Sequence, residues 1–186
     1  MGIRQIIDAI FDYLQGIVVF MAMLVMVYLF IFSPQEINGA SMEETFFNGE
    51  LIVTNKLVFK LETPKRGDVV IFKSPKNKEV DYIKRVIGLP GESVKLEGGR
   101  IYINGIELPE PYLAEGISTN SESYLTEGDE IVVPEGQYFV MGDNRPHSSD
   151  SREFGPIPVE DFIGKGLFRY WPPQKFTILP KVDYGF

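Results

Sequence analysis

Residues 16–32 read GIVVFMAMLVMVYLFIF, seventeen positions without a charge, and Leu14 and Tyr13 extend the apolar stretch backwards. At 1.5 Å per residue the run is about 26 Å long, just enough to cross the hydrocarbon core of a bilayer. It divides the chain into a helix and a remainder of different character. Ser33 and Pro34 end the helix, because proline disfavours α geometry in the residue before it. A cleavable secretory signal is the competing reading. Against it, the run is long for such a signal, and the leading segment sets only Arg4 against Asp8 and Asp12. Asn38 also stands two residues before Ala40, where a cleavage site wants a small side chain. The chain is therefore expected to hold a short cytoplasmic segment at 1–15, a transmembrane helix at 16–32 and an extracytoplasmic domain at 33–186. Orientation rests on Arg4: no Lys or Arg occurs between residues 33 and 55, so the positive charge marks the N-terminal side as cytoplasmic.

Beyond the helix, short apolar runs alternate with turn residues, and helical periodicity is almost lacking. Strands are expected at 50–58, 67–73, 80–88, 100–108, 130–133, 137–141 and 162–171. Within 100–108, Asn104 and Gly105 sit between apolar alternations, the strongest short hairpin signal available. Pro64, Pro75, Pro90, Pro109 and Pro111 fall between runs, where a missing ladder donor does no harm. The expected fold is mainly β: a single N-terminal transmembrane helix followed by a compact, barrel-like arrangement of antiparallel sheets. Residues 108–130 turn polar and read as a surface excursion.

Composition excludes several classes of function. The net charge is -8, and residues 33–186 set 17 Lys and Arg against 24 Asp and Glu, so a nucleic-acid partner is not expected. Without cysteine there is neither a disulfide framework nor a thiolate metal site, and with His147 as the only histidine a multi-histidine metal site is excluded. No metal and no cofactor are expected.

Three short stretches carry chemistry. In 80–88, strand alternation places Lys84 on one face with Val80, Tyr82 and Val86, and Asp81, Ile83, Arg85 and Ile87 on the other. An amine on an apolar face either lifts its charge into water along a flexible stem, or is desolvated and becomes a general base near neutrality. The stretch Ile37-Asn38-Gly39-Ala40-Ser41-Met42 sets small residues before a serine, which suits an ordinary turn as well as a nucleophile. Residues 142–152, GDNRPHSSDSR, read either as a solvated loop or as a network of hydroxyls and ion pairs bracing a buried charge.

Taken together these stretches resemble the bacterial type I signal peptidases, or leader peptidases, membrane-bound serine proteases that work with a Ser/Lys dyad. Four blocks match the family's boxes in order and spacing: GASM at 39–42 with Gly49 following, RGDVVIF at 66–72, DYIKRVIGLPGE at 81–92 and GDNRPHSSDSREFG at 142–155. Only about 98–137 lies outside them, where the family carries its variable second β-domain, here small. The resemblance makes Ser41 the nucleophile and Lys84 its general base, with Ser148 hydrogen-bonding the lysine amine. Asp143, Asp150, Arg152 and Arg85 match the supporting network. Met42, Ile37, Ile83 and Tyr82 match the substrate region, Ile37 and Ile83 lining shallow pockets for small side chains at the first and third positions before the cut. The implied substrates are secretory preproteins whose signals end in an Ala-X-Ala-like sequence, cleaved by a monomer at the bilayer.

This chain departs from the family at Glu44 and Phe46, where proline and leucine are frequent, and at Gly39, where some members carry a hydroxyl as oxyanion donor. The oxyanion would then depend on the Ser41 backbone N–H and a neighbouring amide. His147 has no expected catalytic task. Met42, Phe46 and Phe47 beside the serine, and residues 171–176, are read either as core or as aromatic and apolar groups dipping into the lipid interface.

Overall fold

The structure is a computed structural model and describes residues 2–182, 184 and 185, Leu29 by its backbone only. The first helix, α1 (Ile3–Phe30), has 28 residues, about 42 Å. It is therefore longer than the uncharged run at its start, because nothing in residues 3–15 breaks a helix, and stops two residues short of it at the end. It is long and apolar enough to cross a membrane, and its apolar window buries nothing against the rest of the chain. The apolar run ends partly in strand: β1 (Phe32–Glu36) begins at once, and Lys56 N–H donates to Ile31 O at 2.9 Å.

Eleven further strands follow in order: β2 (Leu51–Asn55), β3 (Val69–Lys73), β4 (Asp81–Gly88), β5 (Ser93–Glu97), β6 (Arg100–Ile103), β7 (Ile106–Glu107), β8 (Glu130–Val132), β9 (Gln137–Met141), β10 (Ile157–Pro158), β11 (Phe162–Trp171) and β12 (Thr177–Ile178). The larger sheet runs β1-β2-β11-β3-β4-β9-β10 with β12 on β11, and the smaller runs β7-β6-β5-β8, every pairing antiparallel. The fold is mainly antiparallel β with one long N-terminal apolar helix, as expected. β9 and β11 have the expected bounds, and Asn104 and Gly105 turn the hairpin with φ of +50° and +78°, the left-handed pair of a type I′ turn. The second sheet, however, begins at Ser93, ahead of the expected insertion at 98–137, because Val94 and Leu96 bury into the core shared with Phe139 and Met141.

The excursion at 108–130 is not merely surface. Leu125 is fully buried in the same core and Thr119 is buried beside Arg145, so charge-rich sequence hides two anchors. Met42 and Phe46 belong to a second core with Ile37, Ile52, Val69 and Ile71, which removes both from any lipid-facing role. Phe46 thus fills a core place where the family often has leucine, and Glu44 is exposed. Phe47, Trp171 and Phe176 remain exposed.

β4 is the strand that positions the site. Its Val86 packs with Val70, Phe72 and Val140, while Ile87 packs with Val94 and Phe139, so apolar cores cover both faces. Lys84, in register with Val70, is carried inward by this strand.

Candidate active site

Ser41 stands in the turn after β1. Its neighbours are tied on both sides: Ile37 N–H donates to Glu50 O at 2.8 Å, Phe46 N–H donates to Met42 O at 2.7 Å, and Gly39 N–H donates to Asn48 Oδ1 at 2.8 Å. Gly39 has φ +102°, a conformation that side-chain-bearing residues rarely adopt. The hydroxyl that other members carry there could not be substituted without moving the backbone.

Lys84 Nζ lies 2.7 Å from Ser41 Oγ and donates to Ile83 O at 2.9 Å. Only 3% of Lys84 is exposed, and it forms no salt bridge among the described residues. Burial pushes its amine down from 10.5 to about 8; the carboxylates of Asp150 and Asp143 oppose that shift and Arg152 adds to it. The Tyr82 ring lies under Nζ at 5.2 Å to its centre. Of the two readings open from sequence, the structure selects the desolvated amine.

The supporting charges are buried and paired. Arg85 donates from Nε and Nη2 to both oxygens of Asp143 at 2.9 and 2.6 Å, and its Nη1 donates to Gly67 O at 3.0 Å. Arg152 grips Asp150 in the same two-pronged way at 2.9 and 2.8 Å. Asp150 also accepts from Gly142 N–H at 3.0 Å and caps the one-turn helix Ser151–Phe154 through Arg152 N–H. Each guanidinium fork matches its carboxylate, which offsets much of the cost of burying the charges.

Two expected contacts are not made. Ser148 Oγ is buried but has no hydrogen-bond partner among the described residues, so its bond to the Lys84 amine is absent. The Lys84 amine is instead taken up by Ser41 Oγ and Ile83 O. Ser148 stays close, since a Cβ placed on Gly142 would lie 2.2 Å from Ser148 Oγ and 2.4 Å from Ser41 O. Only glycine fits between them. Met42, expected in the substrate region, points into the core instead and does not line the cleft.

That cleft has a volume of about 550 Å³ and runs between residues 35–41 and 79–84, with Ser41 and Lys84 on its wall. Ile37, Tyr82 and Ile83 line it as expected, together with Ile52 and Ile71 from β2 and β3. Both fall in strands expected from the sequence, which does not show that they face a groove. β1 and β4 stand at first and fifth place in the sheet, so the sheet must curl for both to line one cleft. His147 lies exposed at its margin and its side chain makes no hydrogen bond among the described residues.

Sequence reasoning missed a second brace. Arg145 is fully buried, pairs with Glu110, and donates to Thr119 Oγ1 at 2.7 Å and to Gly142 O at 3.0 Å. It ties the polar excursion to the loop that carries Ser148. Glu110 and Arg145 are 35 positions apart, and no local pattern pairs them.

Residues 10–171 match the family model described as Signal peptidase, peptidase S26. The chain is 36% identical over 178 residues to signal peptidase IB of Staphylococcus aureus (strain COL), covering 90% of this chain and 92% of that protein. To signal peptidase I of Bacillus caldolyticus it is 40% identical over 157 residues, 80% of this chain and 85% of that one. A signal peptidase I structure from Enterococcus faecalis V583 is 41% identical with a TM-score of 0.48, covering 56% of this chain and 97% of its own. A serine hydroxyl beside a buried amine, on the wall of an open cleft, suits peptide-bond hydrolysis. The chain belongs to the signal peptidase family, peptidase S26, and is a serine peptidase.

Proposed function

We propose that this chain removes N-terminal signal peptides from secretory preproteins, with Ser41 as nucleophile and Lys84 as general base, and that α1 anchors it in the cytoplasmic membrane with the β-domain outside. Family membership supports the removal of signal peptides. The observation that carries the rest is the 2.7 Å approach of Lys84 Nζ to Ser41 Oγ, at an amine with an apolar setting and no carboxylate partner.

With its amine brought down to about 8, an appreciable fraction of Lys84 is neutral near physiological pH, and its lone pair can accept the Ser41 proton. Ser41 Oγ then attacks the scissile carbonyl, and Lys84 passes the proton to the departing amine of the mature protein. Water, deprotonated by the same amine, releases the signal peptide from the acyl-enzyme. The substrate lies extended. Among the described residues β1 pairs only with β2, and residues 81–84 pair only with β3 because β9 joins β4 at Arg85. Two unpaired strand edges therefore face the cleft, ready to accept a peptide by main-chain hydrogen bonds. Ile37 and Ile83 narrow the groove to small side chains, in keeping with Ala-X-Ala-like sites. Asp143, Asp150, Arg85 and Arg152 set the field around Lys84 without moving protons. Nothing in this scheme needs a second copy, so a monomer suffices.

The test is cleavage of a panel of preproteins by full-length enzyme in detergent. Ser41→Ala and Lys84→Met each abolish cleavage while leaving the fold intact, and kcat/KM of the unaltered enzyme rises with pH through a midpoint near 8 to a plateau. Cleavage retained by Lys84→Met would remove the dyad, and cleavage of only one preprotein would replace the general role with a dedicated one.

A further inference from the structure

The peptide units on either side of Ser41 are held by their carbonyls alone. Ala40 O accepts from Asn144 Nδ2 at 3.0 Å and from Glu43 N–H at 3.2 Å, and Ser41 O accepts from Asn144 N–H at 3.1 Å. The N–H groups of Ser41 and Met42 donate to nothing among the described residues. Both units are trans, so each N–H points opposite to the carbonyl of its own unit. Ala40 and Ser41 line the cleft, whereas Asn144 does not. One residue thus draws two successive carbonyls towards the protein and leaves two successive amides facing the other way, where the substrate carbonyl must lie.

We propose that Asn144 is the positioning residue of the oxyanion site: it aims the Ser41 N–H, and behind it the Met42 N–H, by fixing the carbonyls of Ala40 and Ser41. This rests on the reading of Ser41 as nucleophile. The task weighs more in this chain than in a member with a hydroxyl donor, because Gly39 supplies no side chain and its positive φ disfavours acquiring one. Backbone amides must then stabilise the developing oxyanion unaided, and their direction decides their worth. Asn144 is well placed to set it. It is only 9% exposed, its Nδ2 also reaches Glu43 Oε2 at 3.3 Å, and the next residue is the buried Arg145, locked to Glu110, Thr119 and Gly142 O. Among the described residues the Asn144 side chain makes no hydrogen bond to Lys84, so the amine and the amide are set by separate groups.

The experiment compares Asn144→Ala and Asn144→Asp with unaltered full-length enzyme and with Ser41→Ala, on one preprotein. Asn144→Asp keeps the backbone donor and the side-chain shape but cannot donate to Ala40 O, so it stays informative if Asn144→Ala misfolds. Both are expected to lower kcat by about 100-fold, the typical effect of a lost or misaimed oxyanion donor. KM should stay within about twofold, and the pH midpoint of the rate should not move in Asn144→Ala, which leaves the charges around Lys84 unchanged; the new carboxylate of Asn144→Asp, beside Asp143 and Glu43, raises that midpoint, so its kcat is compared on the high-pH plateau. A peptide aldehyde ending in Ala-X-Ala bonds through its carbonyl carbon to Ser41 Oγ and sets its oxygen in the oxyanion position. Its affinity should fall by the same factor as kcat/KM. Wild-type kcat, a loss confined to KM, or a shifted pH midpoint in Asn144→Ala would each overturn the assignment of Asn144. Cleavage persisting in Ser41→Ala would instead overturn the nucleophile, and with it the reading on which Asn144 rests.

Discussion

At pH 7 a lysine that titrates near 8 in the folded chain is still mostly protonated, so Lys84 holds a charge in an apolar setting. In the unfolded chain the same amine titrates near 10.5, so between the two values the unfolded state binds more protons. The depressed pKa therefore opposes folding by about 3 kcal/mol below pH 8, and the opposition fades as pH rises towards 10.5. Lys84→Met keeps the volume and removes the charge. It should stabilise the domain by about 2 kcal/mol at pH 7, after allowing for the lost bonds to Ser41 and Ile83, while abolishing cleavage. Urea unfolding at pH 7 and pH 10 checks this: the difference between variant and wild type should shrink at the higher pH, and a destabilised variant would contradict it. At this scale the sequence was legible where chemistry is local. A cation in an apolar alternation and a serine after small residues both stood out. Asn144 did not, because its partners Ala40 and Glu43 lie about a hundred positions away and its type suits any turn. Ser148 was visible as a hydroxyl in the right block, but its direction depends on how tightly Gly142 lets it approach Ser41.

Among the elements, β4 does most to build the site, giving Lys84 to the serine, Arg85 to Asp143 and an unpaired edge to the cleft. It and β3, β9 and β11 were legible because apolar, aromatic and β-branched residues recur along each run, and the last two have the expected bounds. β1 was hidden because Phe32 finishes the apolar run that begins in α1, Ser33 and Pro34 read as its stop, and proline counts against a strand except at an edge, which is where β1 lies. β5 carries Lys95 and Glu97 on its open face, and those charges mask the alternation of Val94 and Leu96. The polar excursion misled for the same reason: its composition records what faces water, whereas it is anchored by Leu125 in the core and by Thr119 and Glu110 meeting Arg145. Glu110→Gln tests that tie. It leaves a fully buried guanidinium short of its counter-charge, which should cost about 3 kcal/mol and speed proteolysis between residues 109 and 125. Adding Arg145→Met should recover much of the loss, since removing both charges is far less costly than removing one. Equal and additive losses would show that the pair is not coupled.

For the molecule as a whole, we propose that the division read from the first apolar run separates two kinds of work. The apolar window of α1 shares no buried surface with the β-domain, and the domain's ladder starts immediately after it, at Ile31 and Phe32. On the proposed function, the chemistry would need nothing from the helix, whereas encounter with a signal peptide lying in a bilayer would. Tethering enzyme and substrate to one surface turns a bulk search into a local one, with an effective concentration that can raise apparent affinity by about 10²–10⁴-fold. A fragment starting at Ile31 should keep the thermal midpoint of the intact domain, and its kcat/KM on a short soluble peptide should lie within about twofold of that of the full chain. Against a preprotein reconstituted in vesicles, the same fragment should fall behind by about 100-fold or more, and the gap should close when detergent disperses both. A fragment that fails on the soluble peptide would instead mean that α1 holds the cleft in shape, and one that matches the full chain on vesicles would mean that exposed side chains such as Phe47, Trp171 and Phe176 bring the domain to the bilayer unaided.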